Sequence, residues 1–358
     1  MRGKRCFSPG GSMKAEELRT IVEAATRAPS VHNTQPWRFG ERRDPTGQIA
    51  GIDVFADRSR MLDVIDPEGR DLHLSCGAAI EFARIAIRSL GRACTVHLQP
   101  EPSRPDHVAF IDIAAAEPAT DEDRRLFDAV PARYTAREAF DETPVPDRLL
   151  ERLKLIASSF GAWIRVVGQH DDEVTLAVLL SRSDDIERAD DRYVAELTAW
   201  LHRPAGAGDG IPDEAIPGLK RKERALSFRL RDMRAGGADE GGGDAAGAAG
   251  GADEPESVSD DRDSPPPAEH PLVCIIGTPG DDSFAWLQAG RALGRVLLEA
   301  AAEGVQASPM TQVTEVSPTR MMLAQGLGIV GHPQIVLRMG YAHGRPTTPR
   351  RPVDSVLD

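Results

Sequence analysis

The segment APSVHNTQPWRF, Ala28 to Phe39, crowds Ser30, His32, Asn33, Thr34 and Gln35 together, and Asn33 is the only asparagine in the chain. Asn33 and Gln35 each offer a carbonyl and an amide, groups that suit the edge of a heterocycle such as a pyrimidine ring. Pro29 and Pro36 fix the backbone on either side, so the polar groups would be held in place. A second reading is a plain capping loop, with Ser30 or Asn33 accepting from free backbone N–H groups at a helix end. The residue types leave both open.

RYTAREAF (Arg133 to Phe140) sets two guanidinium groups, Arg133 and Arg137, around Thr135. Arginine forks grip phosphate in bidentate fashion, and a helix N-terminus would add N–H donors. Thr135 and Glu138 also spell a T-x-x-E capping box, which accounts for them without a ligand but leaves the arginines unexplained. PTTPRRPVD supplies Arg350 and Arg351, either a further phosphate contact or a solvated tail. SPMTQVTE brings Thr311 and Gln312 to a strand–loop junction, where they would meet a ligand or merely form a polar connection. GLGIVG (Gly326 to Gly331) has the spacing of a dinucleotide fingerprint in the wrong order, helix before and strand after, and predicts a turn. No serine–histidine–aspartate grouping stands out, no catalytic side chain is singled out, and His32 alone among the histidines falls among candidate contacts. Cys6, Cys76, Cys94 and Cys274 show no C-x-x-C pair and no metal-ligand spacing, so no metal is expected and they read as thiols in a reducing cytoplasm.

Elements to hold these side chains follow from hydrophobic spacing. Leu18, Ile21, Val22 and Ala25 share one face of a helix over 15–28, which Pro29 stops. PWRF and IDVFAD predict two short strands. A helix over about 70–90 closes at Gly91, and strands follow at CTVHL and HVAFIDI. The order then repeats, with a helix at 146–159, strands AWIRVVG and LVCIIGT, a helix from Phe284 to Glu303, and strands in GVQASPM and HPQIVLRMGYA. This predicts an α+β fold with a unit duplicated inside one chain: a first half at 13–120, and a second at 121–168 with 272–358. Met13 is a candidate start, because the first helical pattern begins just after it.

An insertion at 169–271 interrupts the second copy. Ile186, Asp190, Tyr193, Val194, Leu197 and Trp200 mark one face of its helical part, which predicts docking on the body as a lid. The basic stretch LKRKERALSFRLRDM reads as a solvated helix face. Residues 235–268, rich in glycine, alanine and aspartate, lack the apolar surface to offset ordering entropy and are expected to be disordered. A net charge of −13 argues against a nucleic-acid partner, which needs a basic face. No apolar run is long enough for a membrane span and no secretory signal opens the chain, so a cytoplasmic protein is expected.

In this order, APSVHNTQPWRF, DPEGRDLHLSCGAAIEFARIAIRSLG, RYTAREAF, DGIP, WLQAGRALGRVLLEAAAEGVQASPMTQ and GHPQIVLRMGYA make a chain that resembles the nitroreductase superfamily of FMN proteins. It most resembles the Acg-type branch of fused, double-length chains, from about Glu16 to Tyr341. The resemblance implies a flavin site between two half-units. In shorter members two identical subunits pair: an R-x-[ST]-x-R segment of one holds the flavin phosphate, and a P-S-x-x-N loop of the other approaches the ring. Here Arg133, Thr135 and Arg137 carry the first pattern in the second half, and Pro29, Ser30 and Asn33 carry the other in the first half. The chain would be a dimer fused to itself, able to exist as a monomer with one FMN. Arg350 matches a terminal basic residue at the phosphate, and Thr311 and Gln312 fall where a loop reaches the ring. Asn33 would hydrogen-bond the flavin or the loop that cradles it.

The implied function is an FMN-dependent oxidoreductase, passing electrons from a reduced small-molecule donor, NAD(P)H or another, to a small electron-poor acceptor. Two competing functions stay open. SSFGAWIRVV in the second half has no P-S-x-x-N counterpart and the first half has no clear R-x-T-x-R, so one of two flavin sites is expected to be lost. That loss and the long insertion also suit a protein that binds and withholds FMN without efficient turnover. The third is a non-enzymatic interaction protein whose motif loops merely cap helices.

Overall fold

The computed structural model describes residues 13–201, 203–204, 206–212, 215, 271–344 and 348–358. The basic stretch at 219–233 and the glycine-rich stretch at 235–268 lie outside the described residues. Helix α1 (Ala15–Thr26) buries Leu18, Ile21, Val22 and Ala25, the face expected from their spacing. Strands β1 (Trp37–Arg43) and β2 (Ile49–Ala56) follow, then α2 (Arg70–Ser89), β3 (Arg92–Leu98) and β4 (His107–Ala116). The four strands form an antiparallel sheet in the order β1-β2-β4-β3. Trp37 and Phe39 are fully buried while Arg38 between them is exposed, the period-2 signature of a strand with one face on a core.

A short helix α3 (Asp121–Ala129), capped by Thr120, precedes α4 (Asp147–Ser159) and β5 (Trp163–Val167). The insertion contributes α5 (His170–Arg188) and α6 (Asp191–Trp200). Then come β6 (Leu272–Thr278), α7 (Ser283–Ala302), β7 (Gln306–Pro309), α8 (Gln312–Glu315), α9 (Ser317–Gly326) and β8 (His332–Gly340). This second antiparallel sheet runs β5-β6-β8-β7, the first sheet's order strand for strand. GLGIVG is the turn between α9 and β8.

The two long helices α2 and α7 lie against each other, and Leu287 and Leu298 of α7 join the core cluster of α1, α2 and the first sheet. Their backbones approach so closely that a methyl group on Gly290 would run into the Leu74 carbonyl. At the other end of the chain, Phe39 N–H donates to Val356 (2.7 Å) and Asp358 N–H to Phe39 (2.8 Å), adding the terminal residues to the edge of β1. That crossing carries Arg350 and Arg351 to the loop after α1. Among the described residues no helix is long and apolar enough to cross a membrane.

Two local expectations fail. RYTAREAF opens no helix: Ala136 N–H donates instead to Ala307 in β7 (3.0 Å), and the edge of that strand holds the segment extended. Glu138 therefore makes no capping box and accepts from the N–H groups of Arg137 and Gly344 (both 3.1 Å). The helical insertion has two faces rather than one, because Asp190 caps α6 and breaks the run. Helix α5 turns Leu176, Leu179 and Leu180 onto Val273, Ile275 and Val336 of the second sheet, which leaves Ile186 exposed. Helix α6 packs Tyr193 and Leu197 elsewhere, onto Leu62 and Ile65.

Candidate functional site

Between α1 and β1 the backbone takes an unusual path. Among the described residues four non-glycine residues have positive φ, and three are His32 (43°), Asn33 (56°) and Gln35 (50°). Asparagine tolerates this region, but for most residues it is strained by about 1–3 kcal/mol, so other contacts must hold the loop. Ser30 does part of that work, its Oγ accepting from Gln35 N–H (3.0 Å). The Asn33 amide donates to the carbonyls of Gly210 (2.8 Å) and Pro349 (3.0 Å), and its oxygen accepts from Arg350 (3.0 Å). Gln35 donates to the Gly208 carbonyl (2.9 Å) and accepts from Arg351 N–H (2.9 Å). Both amides thus knit the loop to residues 208–210 and to the terminal segment, and neither side chain caps a helix. Pro29 is half-buried at the loop's start, and His32 is buried within it.

Arginines converge beside this loop. Arg133 donates to the Arg27 carbonyl (3.2 Å), and Arg137 to the Ala215 carbonyl (3.4 Å). Burial, then the positive charges of Arg133, Arg27 and Arg137, push Arg350 down to about 9. Burial and the charges of Arg137 and Arg27 push Arg133 down to about 10. Burial likewise takes Arg137 to about 10, against the opposing pull of Glu138. Other buried arginines, Arg70 and Arg88 among them, are paired with carboxylates, Asp71 and Asp123 respectively. Here, among the described residues, Glu138 is the one carboxylate set against the guanidinium groups of Arg27, Arg133, Arg137 and Arg350, and at about 9 to 10 the last three are cations at neutral pH. The Nε atoms of Arg133 and Arg350 are buried with no hydrogen-bond partner among the described residues. Such a cluster favours an anion with several acceptor oxygens.

The arginine segment is tied to β7. Thr135 bridges to Ala307, and Gln306 accepts from Tyr134 N–H (3.0 Å). Strand β7 leads directly to Thr311 and Gln312. The Thr311 carbonyl accepts from Thr314 and Glu315 N–H groups (both 2.8 Å) and so starts α8. Gln312 is 2% exposed, and its Nε2 has no hydrogen-bond partner among the described residues. A buried donor left in that state costs about 1–3 kcal/mol, which an acceptor on a ligand would offset.

A strap from the insertion lies over the loop. The Tyr193 hydroxyl of α6 donates to Glu315 of α8 (2.8 Å), and Glu196 accepts from Ile65 N–H (2.8 Å). Beyond α6, Asp209 pairs with Arg60 and with Arg203 (2.8 Å). Burial acts to raise the Asp209 carboxyl, but the bonds from Arg60 and Arg203 outweigh it and hold it below the usual range.

The structure therefore brings Pro29, Ser30, His32, Asn33, Arg133, Arg137 and Arg350 together, while Thr135, Thr311 and Gln312 join through β7. Arg27, Arg60 and Asp209 were not among the residues expected at the site, and Arg351, expected as a phosphate contact or a solvated tail residue, binds Gln35 instead. Arg27 stands directly before APS and Asp209 within DGIP, so both were visible, but the meeting of Arg27 with Arg133 and of Asp209 with Arg60 depends on crossings between distant segments.

A model of the nitroreductase family matches residues 2–44 and 223–341. Over 349 residues the chain is 32% identical to a Mycobacterium tuberculosis (strain ATCC 25618 / H37Rv) protein named "Putative NAD(P)H nitroreductase Rv3131", covering 96% of this chain and 92% of that one. The chain belongs to the nitroreductase family. It is also 29% identical over 356 residues to "Putative NAD(P)H nitroreductase acg" of the same strain, covering 98% of this chain and 97% of that one. That match along nearly the whole length makes it an Acg-type nitroreductase-family chain. A third relative from that strain, "Uncharacterized protein Rv3127", is 28% identical over 348 residues. Nitroreductase-family proteins typically use a flavin.

Proposed function

We propose that this chain is an FMN-dependent oxidoreductase that moves electrons from a reduced small-molecule donor, NAD(P)H first among the candidates, to a small electron-poor acceptor. The observation that carries the proposal is the cluster of Arg27, Arg133, Arg137 and Arg350, against which Glu138 is the one carboxylate among the described residues. When bound, FMN would supply the electron-transfer chemistry. The chain's part is to hold it. Arg133, Arg137 and Arg350 would take the phosphate, and the Gln312 Nε2 donor would meet an acceptor on the ring. A donor placed where reduction builds negative charge also favours the reduced form. Asn33 would act by holding the loop that cradles the flavin, since its amide groups already have partners in the protein.

The shared strand order of the two sheets supports reading the chain as a duplicated unit, a dimer fused to itself that needs no second subunit. Helix α6 and the strap at 203–212 would form its lid. The names of two relatives support a nicotinamide donor. The absorption spectrum of the purified protein tests the flavin, and anaerobic mixing with NADH and with NADPH tests the donor. A flavin spectrum that bleaches with at least one of them is expected. A protein that gains no visible spectrum with added FMN would end the flavin reading, and a flavin that neither donor bleaches would end the nicotinamide one.

The strap favours a second reading, in which the protein withholds FMN without efficient turnover. Flavin retained through dialysis and reduced slowly by every donor would support it over the first.

A further inference from the structure

Because the two sheets share one strand order, three parts of the framework around the arginine-rich site have counterparts, though the arginine segment at 133–137 has none among the described residues. The loop after α1 corresponds to residues 160–162 after α4, the end of β7 to the end of β3, and the start of α2 to the start of α7. Those counterparts meet around a cavity of about 320 Å³, lined by Leu98 of β3, Phe160 and Gly161 after α4, and Phe284, Gln288 and Arg291 of α7. None of these residues belongs to the arginine-rich site.

We infer that this cavity is a second small-molecule site, for a flat aromatic monoanion of one or two rings. Its volume lies at the low end for small-molecule pockets, which suits one or two rings and excludes a dinucleotide. Phe160, Leu98 and Phe284 supply apolar walls, and Phe284 is 43% exposed, a large apolar side chain at the surface. The charge comes from Arg291, which shares the fully buried carboxylate of Glu81 with Arg84 (3.3 Å and 2.7 Å). Two guanidinium groups on one carboxylate leave a positive surplus. The Arg291 Nε is buried with no hydrogen-bond partner among the described residues, and its guanidinium stands 5.0 Å from the Phe160 ring centroid. Gly161 keeps the Gln288 amide close: its φ is 72°, and a Cβ there would lie 3.3 Å from the Gln288 nitrogen. One cation with a surplus of one charge fits a carboxylate, and no group of arginines like that at 133–137 lines the cavity to take a phosphate.

Calorimetric titration of 2-naphthoate into the full chain tests this. Saturable one-to-one binding is expected. Arg291→Gln should weaken it by about ten-fold or more, the scale of one lost charge-assisted hydrogen bond. Leu98→Trp, which fills the cavity, should abolish it, and Arg133→Ala should leave it unchanged. Neutral 2-naphthamide should bind at least about ten-fold more weakly to the parent protein, which reads the same charge without a substitution. Absence of saturable binding, equal affinity for the amide, or binding that survives both lining variants would each overturn the inference. So would binding lost in Arg133→Ala, which would place the naphthoate at the arginine cluster.

Discussion

The connection from α1 to β1 spans residues 27–36 and holds three left-handed non-glycine residues, whereas its counterpart from α4 to β5 spans only 160–162, with Gly161 as its left-handed residue. The elements around them are arranged alike. A glycine turn needs no outside support, because glycine adopts positive φ readily. The strained loop at 32–35 needs it, and receives it from Asn33, Gln35 and the segments they grip. Charge divides the same way. Arg291, near the short connection, has Glu81 beside it, while Arg133 and Arg350, near the long one, oppose each other. Under the proposed reading, two sheets of one strand order supply two clefts, and the connections decide what each can hold.

The largest expected effect tests that division of charge. Arg133→Ala combined with Arg137→Ala should weaken FMN binding by about two decades or more, since a hydrogen bond to a charged group contributes roughly 1.5–3 kcal/mol. Arg291→Gln should leave FMN affinity as it was. Titration followed by quenching of FMN fluorescence reads both, and its end point should be one FMN per chain. An end point of two, or equal losses in the two sets of variants, would show that the clefts are equivalent after all.

A smaller effect tests the support given to the strained loop. Asp209→Asn removes the charge that binds Arg60 and Arg203 and so loosens the strap over residues 32–35. FMN release should quicken by about ten-fold, corresponding to roughly 1.4 kcal/mol. Stopped-flow measurement of release into excess apoflavodoxin-type trap protein would read the rate. A rate equal to the parent's would mean that the strap does not cover the flavin.

The difference between the two connections was only partly legible in the sequence. The apolar faces of α1 and α2 could be read because burial follows helical spacing, β1 because it alternates at its start, and β6 and β8 as continuous apolar runs buried along their length. The polar crowding at 30–35 also stood out, and so did the arginines at 133, 137 and 350. What could not be read was the left-handed backbone and the long-range contacts: the tail lying along β1, and Asp209 meeting Arg60 from 149 residues away. The T-x-x-E capping box misled because a strand edge competed with the helix for the same backbone, and local spacing carries no record of that competitor. Ile186 misled in turn because Asp190 resets the helical phase.

The smallest expected effect isolates the arginine cluster from every other feature of flavin. Inorganic phosphate should raise the melting temperature of the flavin-free protein, because a ligand that binds only the native state stabilises it. At ten times its dissociation constant the gain is about 1.4 kcal/mol, or roughly 2 °C in a chain of this length. The sign of its pH dependence follows from the depressed values of about 9 for Arg350 and about 10 for Arg133 and Arg137. Below pH 9 all three are cations, so the full gain is present and the anion-free fold carries their mutual repulsion. As pH rises through 9 to 10 protons leave, repulsion in the anion-free protein falls, and phosphate loses its partners. The two melting curves should therefore converge on the alkaline side. A phosphate shift that persists unchanged at pH 11, or that survives Arg133→Ala with Arg137→Ala, would move the anion site away from the α1–β1 connection and erase the contrast in charge between the two clefts.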